Sequence, residues 1–97
     1  MTLRETQEEL RASPGEIVIA LRENRTTGYA WRLVRASDGV VPLGDEFALE
    51  DASVGGGGVH TFRVGIDAPG TYELSFELAR RWEAEPIERH DVTVIVA

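Results

Sequence analysis

The chain has 97 residues, a size that buries roughly two thirds of its extended surface on folding, so one modest core is accessible and a second domain is not. It contains no cysteine and carries a formal net charge of −7, which excludes a disulfide framework, a thiolate metal site and a cysteine nucleophile, and argues against nucleic acid or an anionic membrane as partner. All 10 basic residues are arginine, a side chain suited to planar hydrogen-bonded contacts.

Met1 to Leu10 is polar and mostly acidic, and no later window approaches the length of a membrane span. As it stands the sequence predicts a cytoplasmic protein, or a secreted or periplasmic one where a leader has been removed. Leu3, Gln7 and Leu10 also fit one helical face. No good cap precedes them, so the expectation is a weak edge strand.

From Glu16 onward the alternation has period two. Ile17, Ile19 and Leu21 form the second segment, Trp31 and Leu33 the third, and Phe47 and Leu49 the fourth; His60, Phe62, Val64 and Ile66 follow, then Tyr72, Leu74, Phe76 and Leu78, and finally Val92, Val94 and Val96. Such segments have one face on a core and one in water. Turn signals separate them at Ser13-Pro14-Gly15, Ser37-Asp38-Gly39, Gly44-Asp45 and Asp67-Ala68-Pro69-Gly70. Seven or eight short strands in a chain of this length predict an all-β, immunoglobulin-like antiparallel β-sandwich occupying residues 1–97 as one domain, with Trp31 as its central core tryptophan.

If each strand runs antiparallel to its predecessor, connections alternate between the two ends of the sandwich. The second-to-third, fourth-to-fifth and sixth-to-seventh connections then share one end, and these are the unusual ones: Asn24-Arg25-Thr26-Thr27-Gly28-Tyr29, Val54 with Gly55-Gly56-Gly57-Gly58, and Arg80-Arg81-Trp82 through Pro86.

Each has a structural reading beside a functional one. The glycines make either a slack hairpin or a loop that offers bare backbone to an extended partner; a phosphate cradle would need a following helix and usually a lysine. Trp82 either folds back over the sandwich or anchors a partner, as arginine and tryptophan often do at binding hot spots. Asn24 and Gly28 have adequate explanations as turn residues, whereas Thr26 and Thr27, β-branched and hydroxyl-bearing, suit a stiff wedge. Catalysis finds little support. His60 and His90 fall in strands and read as satisfied strand residues, no serine has a glycine-flanked elbow, and Glu88, His90 and Asp91 make at most a surface group. No cofactor or metal is implied, and nothing points to oligomerisation, so a monomer is expected.

The three connections in this order resemble the chagasin family, inhibitors of papain-like cysteine peptidases. That family carries NPTTGY or NPTTGF closely followed by tryptophan, then GxGG ahead of an aromatic-bearing strand, then RPW. Here these motifs appear as Asn24 to Tyr29 with Trp31, as Gly55 to Gly58 ahead of Phe62, and as Arg80-Arg81-Trp82. The resemblance implies an inhibitor that plugs the cleft of a papain-like cysteine peptidase. Thr26 and Thr27 would enter the catalytic centre, the glycines would lie along the unprimed side, and Arg80 and Trp82 would hold the primed side. Arg25 and Arg81 stand where the family usually has proline. Both loops thereby lose a fixed φ, with two open consequences: an ordering cost on association, or a specificity redirected by two added charges. The rival readings are an immunoglobulin-like adhesion or interaction module that inhibits no protease and, further off, a small enzyme or carbohydrate binder using His90 and nearby acids.

Overall fold

The computed structural model describes residues 3–24, 27–50 and 57–97. Within them lie seven strands: β1 (Arg4–Ala12), β2 (Gly15–Asn24), β3 (Tyr29–Ala36), β4 (Val40–Leu49), β5 (Gly57–Ile66), β6 (Gly70–Arg80) and β7 (Glu88–Val96). They form a four-stranded sheet, β1-β7-β6-β3, facing a three-stranded sheet, β2-β5-β4. This is the expected immunoglobulin-like sandwich. No helix among the described residues is long and apolar enough to cross a membrane.

Alternation puts one side chain in two between the sheets. Ile17, Ile19 and Leu21 of β2 and Phe62, Val64 and Ile66 of β5 meet Leu74 and Phe76 of β6 and Val92, Val94 and Val96 of β7, with Trp31 closing the core at one end. Each of these residues is almost fully buried, and area of this kind contributes about 25 cal/mol per Å². Phe62 and Phe76 cross between the sheets with ring centroids 4.8 Å apart.

Register brings the three unusual connections to one pole. Asn24 lies opposite Gly57 and Leu49 opposite Gly58 in the three-stranded sheet, while Tyr29 lies opposite Arg80 and Leu78 opposite Glu88 in the four-stranded sheet. All four pairings are at the ends from which the 24–29, 49–57 and 80–88 connections leave. β1 is an edge strand, as expected, but a full nine residues long, and it runs parallel to β7 with Arg4 beside Glu88. Its first residues therefore share the pole with the loops.

Two sequence expectations are corrected. Gly44-Asp45 is not a turn: it lies inside β4, at a bulge where the register slips between Pro42 and Gly44, and Gly44 takes φ 147° to absorb it. Phe47 and Leu49 do not continue the apolar core either. Leu49 is 62% exposed and Phe47 only half-buried; opposite Phe47 on β5 stands His60, which bonds to Glu23 of β2. In β3 a second bulge, between Leu33 and Arg35, turns Val34 out to solvent.

Gly58 is the glycine that packing demands. A Cβ there would run into the carbonyl oxygen of Ala48 and lie 2.8 Å from the Phe47 ring. We expect Gly58→Ala to destabilise the fold by about 1–3 kcal/mol, read as a lower denaturation midpoint; an unchanged midpoint would mean that β4 moves aside without cost.

Candidate functional site

Only residues 25–28 separate β2 from β3, so the chain must cross from one sheet to the other in a few steps. Arg25 and Thr26 lie outside the described residues. Thr27 follows, exposed, with its hydroxyl donating to the Asn24 carbonyl at 2.8 Å and accepting from the Tyr29 amide at 3.3 Å. The hydroxyl thus closes the turn on both sides. That gives Thr27 the structural role its sequence position did not reveal. Gly28 has φ 83°, a conformation that side chains rarely adopt.

The first and third loops touch. A Cβ on Gly28 would lie 3.4 Å from the far edge of the Trp82 indole, in ordinary contact. Trp82 is 73% exposed, so it covers the glycine on one side and faces solvent on the other. Beside it the Arg80 guanidinium lies over the Tyr29 ring, 4.7 Å from the centroid. Gly28, Tyr29, Arg81 and Trp82 line a shallow cleft between the two loops.

Arg81 stands in the middle of this turn and is exposed. The turn is held without a proline: the Glu83 amide donates to the Arg80 carbonyl at 3.1 Å, and the Arg80 guanidinium pairs with the Glu83 carboxylate at 3.2 Å. A half-exposed pair of this kind contributes at most about 1 kcal/mol, yet it fixes the direction in which Trp82 leaves.

Gly55 and Gly56 lie outside the described residues. Gly57 and Gly58 open β5, paired with β2 and β4, and Gly58 is buried under β4. Arg22, next to Asn24's neighbour Glu23, forms a two-pronged ion pair with Glu50 at the start of the glycine connection. That hydrogen bond, and then the charge of Glu50, raise the Arg22 guanidinium further above its ordinary pKa, so it stays charged.

A buried polar network beneath the first two loops was not anticipated. Glu23, whose side chain is fully buried, accepts from the Trp31 backbone amide at 2.7 Å and meets His60 Nδ1 at 2.8 Å with the same oxygen. His60 Nε2 meets the Asp45 carboxylate at 2.5 Å, and the imidazole stacks on Phe62 with centroids 4.3 Å apart. The imidazole thus bridges two strands, with Glu23 of β2 on one ring nitrogen and Asp45 of β4 on the other. The Trp31 indole adds a second bond across the sandwich, to the Arg22 carbonyl at 2.8 Å. The signal was present in the sequence: Glu23 continues the inward phase of Ile17, Ile19 and Leu21, and His60 that of Phe62 and Val64, so two polar residues fall inward at the same pole.

His90 is a satisfied strand residue, as read. It faces inward with Val92, bonded to Thr6 at 2.7 Å and Glu8 at 2.9 Å. Asp91 points to the opposite face of β7, so Glu88, His90 and Asp91 do not assemble as one group.

Three loops gathered at one pole of a β-sandwich define a binding module whose scaffold is separate from its contact surface. The family model for chagasin-family peptidase inhibitors matches residues 13–96, and the chain belongs to that family. It is an inhibitor and not an enzyme. No curated protein sequence matches it significantly. Solved structures with the same fold include the cysteine protease inhibitor EhICP2 of Entamoeba histolytica, with 21% identity and a TM-score of 0.74 over 98% of this chain and 96% of that chain. Amebosin matches with 19% identity and a TM-score of 0.69 over the whole of both chains. PbICP-C, solved in complex with falcipain-2, matches with 16% identity and a TM-score of 0.68 over 100% of this chain and 94% of that chain.

The turn bonds of Thr27 are testable apart from any partner. Thr27→Val keeps the shape and removes both hydroxyl contacts, so it should cost about 0.5–1.5 kcal/mol and speed amide exchange at Tyr29; equal exchange in the two proteins would make the hydroxyl idle.

Proposed function

We propose that this protein inhibits papain-like cysteine peptidases by laying the 24–29, 49–57 and 80–88 loops across the active-site cleft. One observation carries the reading: Gly28 lies against the Trp82 indole, so the first and third loops meet at the pole with the indole exposed beside them. Family membership and the complex of PbICP-C with falcipain-2 support it.

In this arrangement Thr26 and Thr27 enter the catalytic centre, and the closed turn at Thr27 keeps the tip from presenting a peptide bond in attack geometry. The bare backbone around Gly55, Gly56 and Gly57 runs beside one wall of the cleft. Gly58, buried, shapes the hairpin instead of touching the partner. On the other side Trp82 anchors, Arg80 is stacked on Tyr29, and exposed Arg81 adds a positive charge to the contact surface. Asn24 and Arg25 flank the tip. A nanomolar complex corresponds to about −12 kcal/mol, within reach of an interface of roughly 800 Å² per partner.

The assay is direct. Papain or a cathepsin L-like enzyme should lose activity on a fluorogenic substrate in the presence of the purified protein. Undiminished activity at micromolar protein would leave a module that binds something else, and progressive cleavage of the chain would make it a substrate. Within the inhibitor reading, Trp82→Ala should weaken inhibition by about 1–3 kcal/mol with little change in melting temperature, because the indole is mostly exposed in the free protein; an unaltered inhibition constant removes Trp82 from the interface.

A further inference from the structure

We infer that Glu23, His60 and Asp45 are positioning residues: together they hold the first loop and the glycine hairpin in one fixed relation before any partner arrives. Glu23 is the last inward residue of β2 before the first loop, and the amide it accepts from, that of Trp31, lies just past that loop on β3. Its carboxylate therefore clamps both flanks of the loop and crosses from one sheet to the other. His60 passes the constraint on to β5, and Asp45 carries it to β4. β4 and β5 are the two strands that flank the glycine connection.

Stability alone does not call for such a group. Replacing a buried ionic cluster by apolar side chains of similar volume is often neutral or favourable, and the rest of the inward positions of β2 and β5 from Ile17 to Leu21 and from Phe62 to Ile66 are apolar. What apolar packing lacks is direction. A carboxylate shared between an amide and an imidazole accepts only a narrow set of strand positions, and a loop ordered in advance avoids part of the ordering cost on binding. The groups facing the imidazole are Glu23 from β2, Asp45 from β4 and the Phe62 ring of its own strand; the Trp31 amide from β3 reaches the same Glu23 oxygen.

The effect on affinity rests on the inhibitor reading, whereas the effect on the free protein does not. The test compares wild type with Glu23→Leu, which removes both contacts, and Glu23→Gln, which keeps an accepting oxygen. Amide hydrogen exchange is read at Tyr29, Trp31 and Gly58 and, at the far pole, at Val40 and Gly70; inhibition of papain is measured in parallel. For Glu23→Leu we expect exchange at the loop pole to rise roughly tenfold, the far pole to stay as in wild type, and the inhibition constant to rise by a similar factor. Glu23→Gln should stay near wild type in all three. A uniform rise at both poles, or no rise at the loop pole, overturns the inference. Should Glu23→Leu not fold, Asp45→Ala at the half-exposed rim replaces it: faster exchange confined to Gly58 and its neighbours supports the inference, and unchanged exchange there overturns it. If wild type inhibits no papain-like peptidase, the functional proposal falls and the exchange result still decides this one.

Discussion

Trp31 hydrogen-bonds twice across the sandwich, from its backbone amide to the Glu23 carboxylate and from its indole to the Arg22 carbonyl, and the geometry of the loop pole depends on that pair of bonds. Facing sheets sit about 10 Å apart, and four residues must bridge them between β2 and β3. Without a tie at the base, so short a connection could settle at several strand offsets. With it, Asn24 and Tyr29 are held at fixed places on opposite sheets, and the Thr27 turn sits over the seam between them.

The third loop is built on that foundation. Tyr29, fixed by the start of β3, offers its ring to Arg80, and Gly28 offers a surface without a side chain to Trp82. A residue larger than glycine would be strained by the φ of 83°, although its Cβ would meet the indole only in ordinary contact. The missing prolines matter less than their loss from the motif suggests, at least for the third loop, because the Glu83 amide and carboxylate close the turn around Arg81. What the arginine adds is charge, placed outward on a protein whose net charge is negative.

Strand parity was enough to place the three loops together, because each sheet direction follows from a run of alternating residues and each connection is short. It was not enough for β4. There the bulge at Gly44 is indistinguishable from a turn in composition, since both need a residue free in φ, and beside the polar group at His60 Phe47 is only half-buried and Leu49 is exposed. The network itself was legible in phase but masked by type: an inward glutamate reads as a break in the pattern until its partner on the neighbouring strand is found, and that partner is 37 residues away. Thr27 shows the converse. Its hydroxyl looked free for a partner because the acceptor, a backbone carbonyl, carries no mark in the sequence.

The parallel pairing of β1 with β7 has a practical side. Arg4 starts beside Glu88 and its amide donates to the Ile87 carbonyl at the foot of the third loop, while Val96 ends beside Ala12 at the far pole. The two ends of the described chain therefore leave the molecule at opposite extremities. Anything attached ahead of Arg4 starts at the pole of the three loops, whereas an attachment after Val96 starts at the opposite pole. Tethered to a surface by that second end, the molecule would stand with its three loops uppermost.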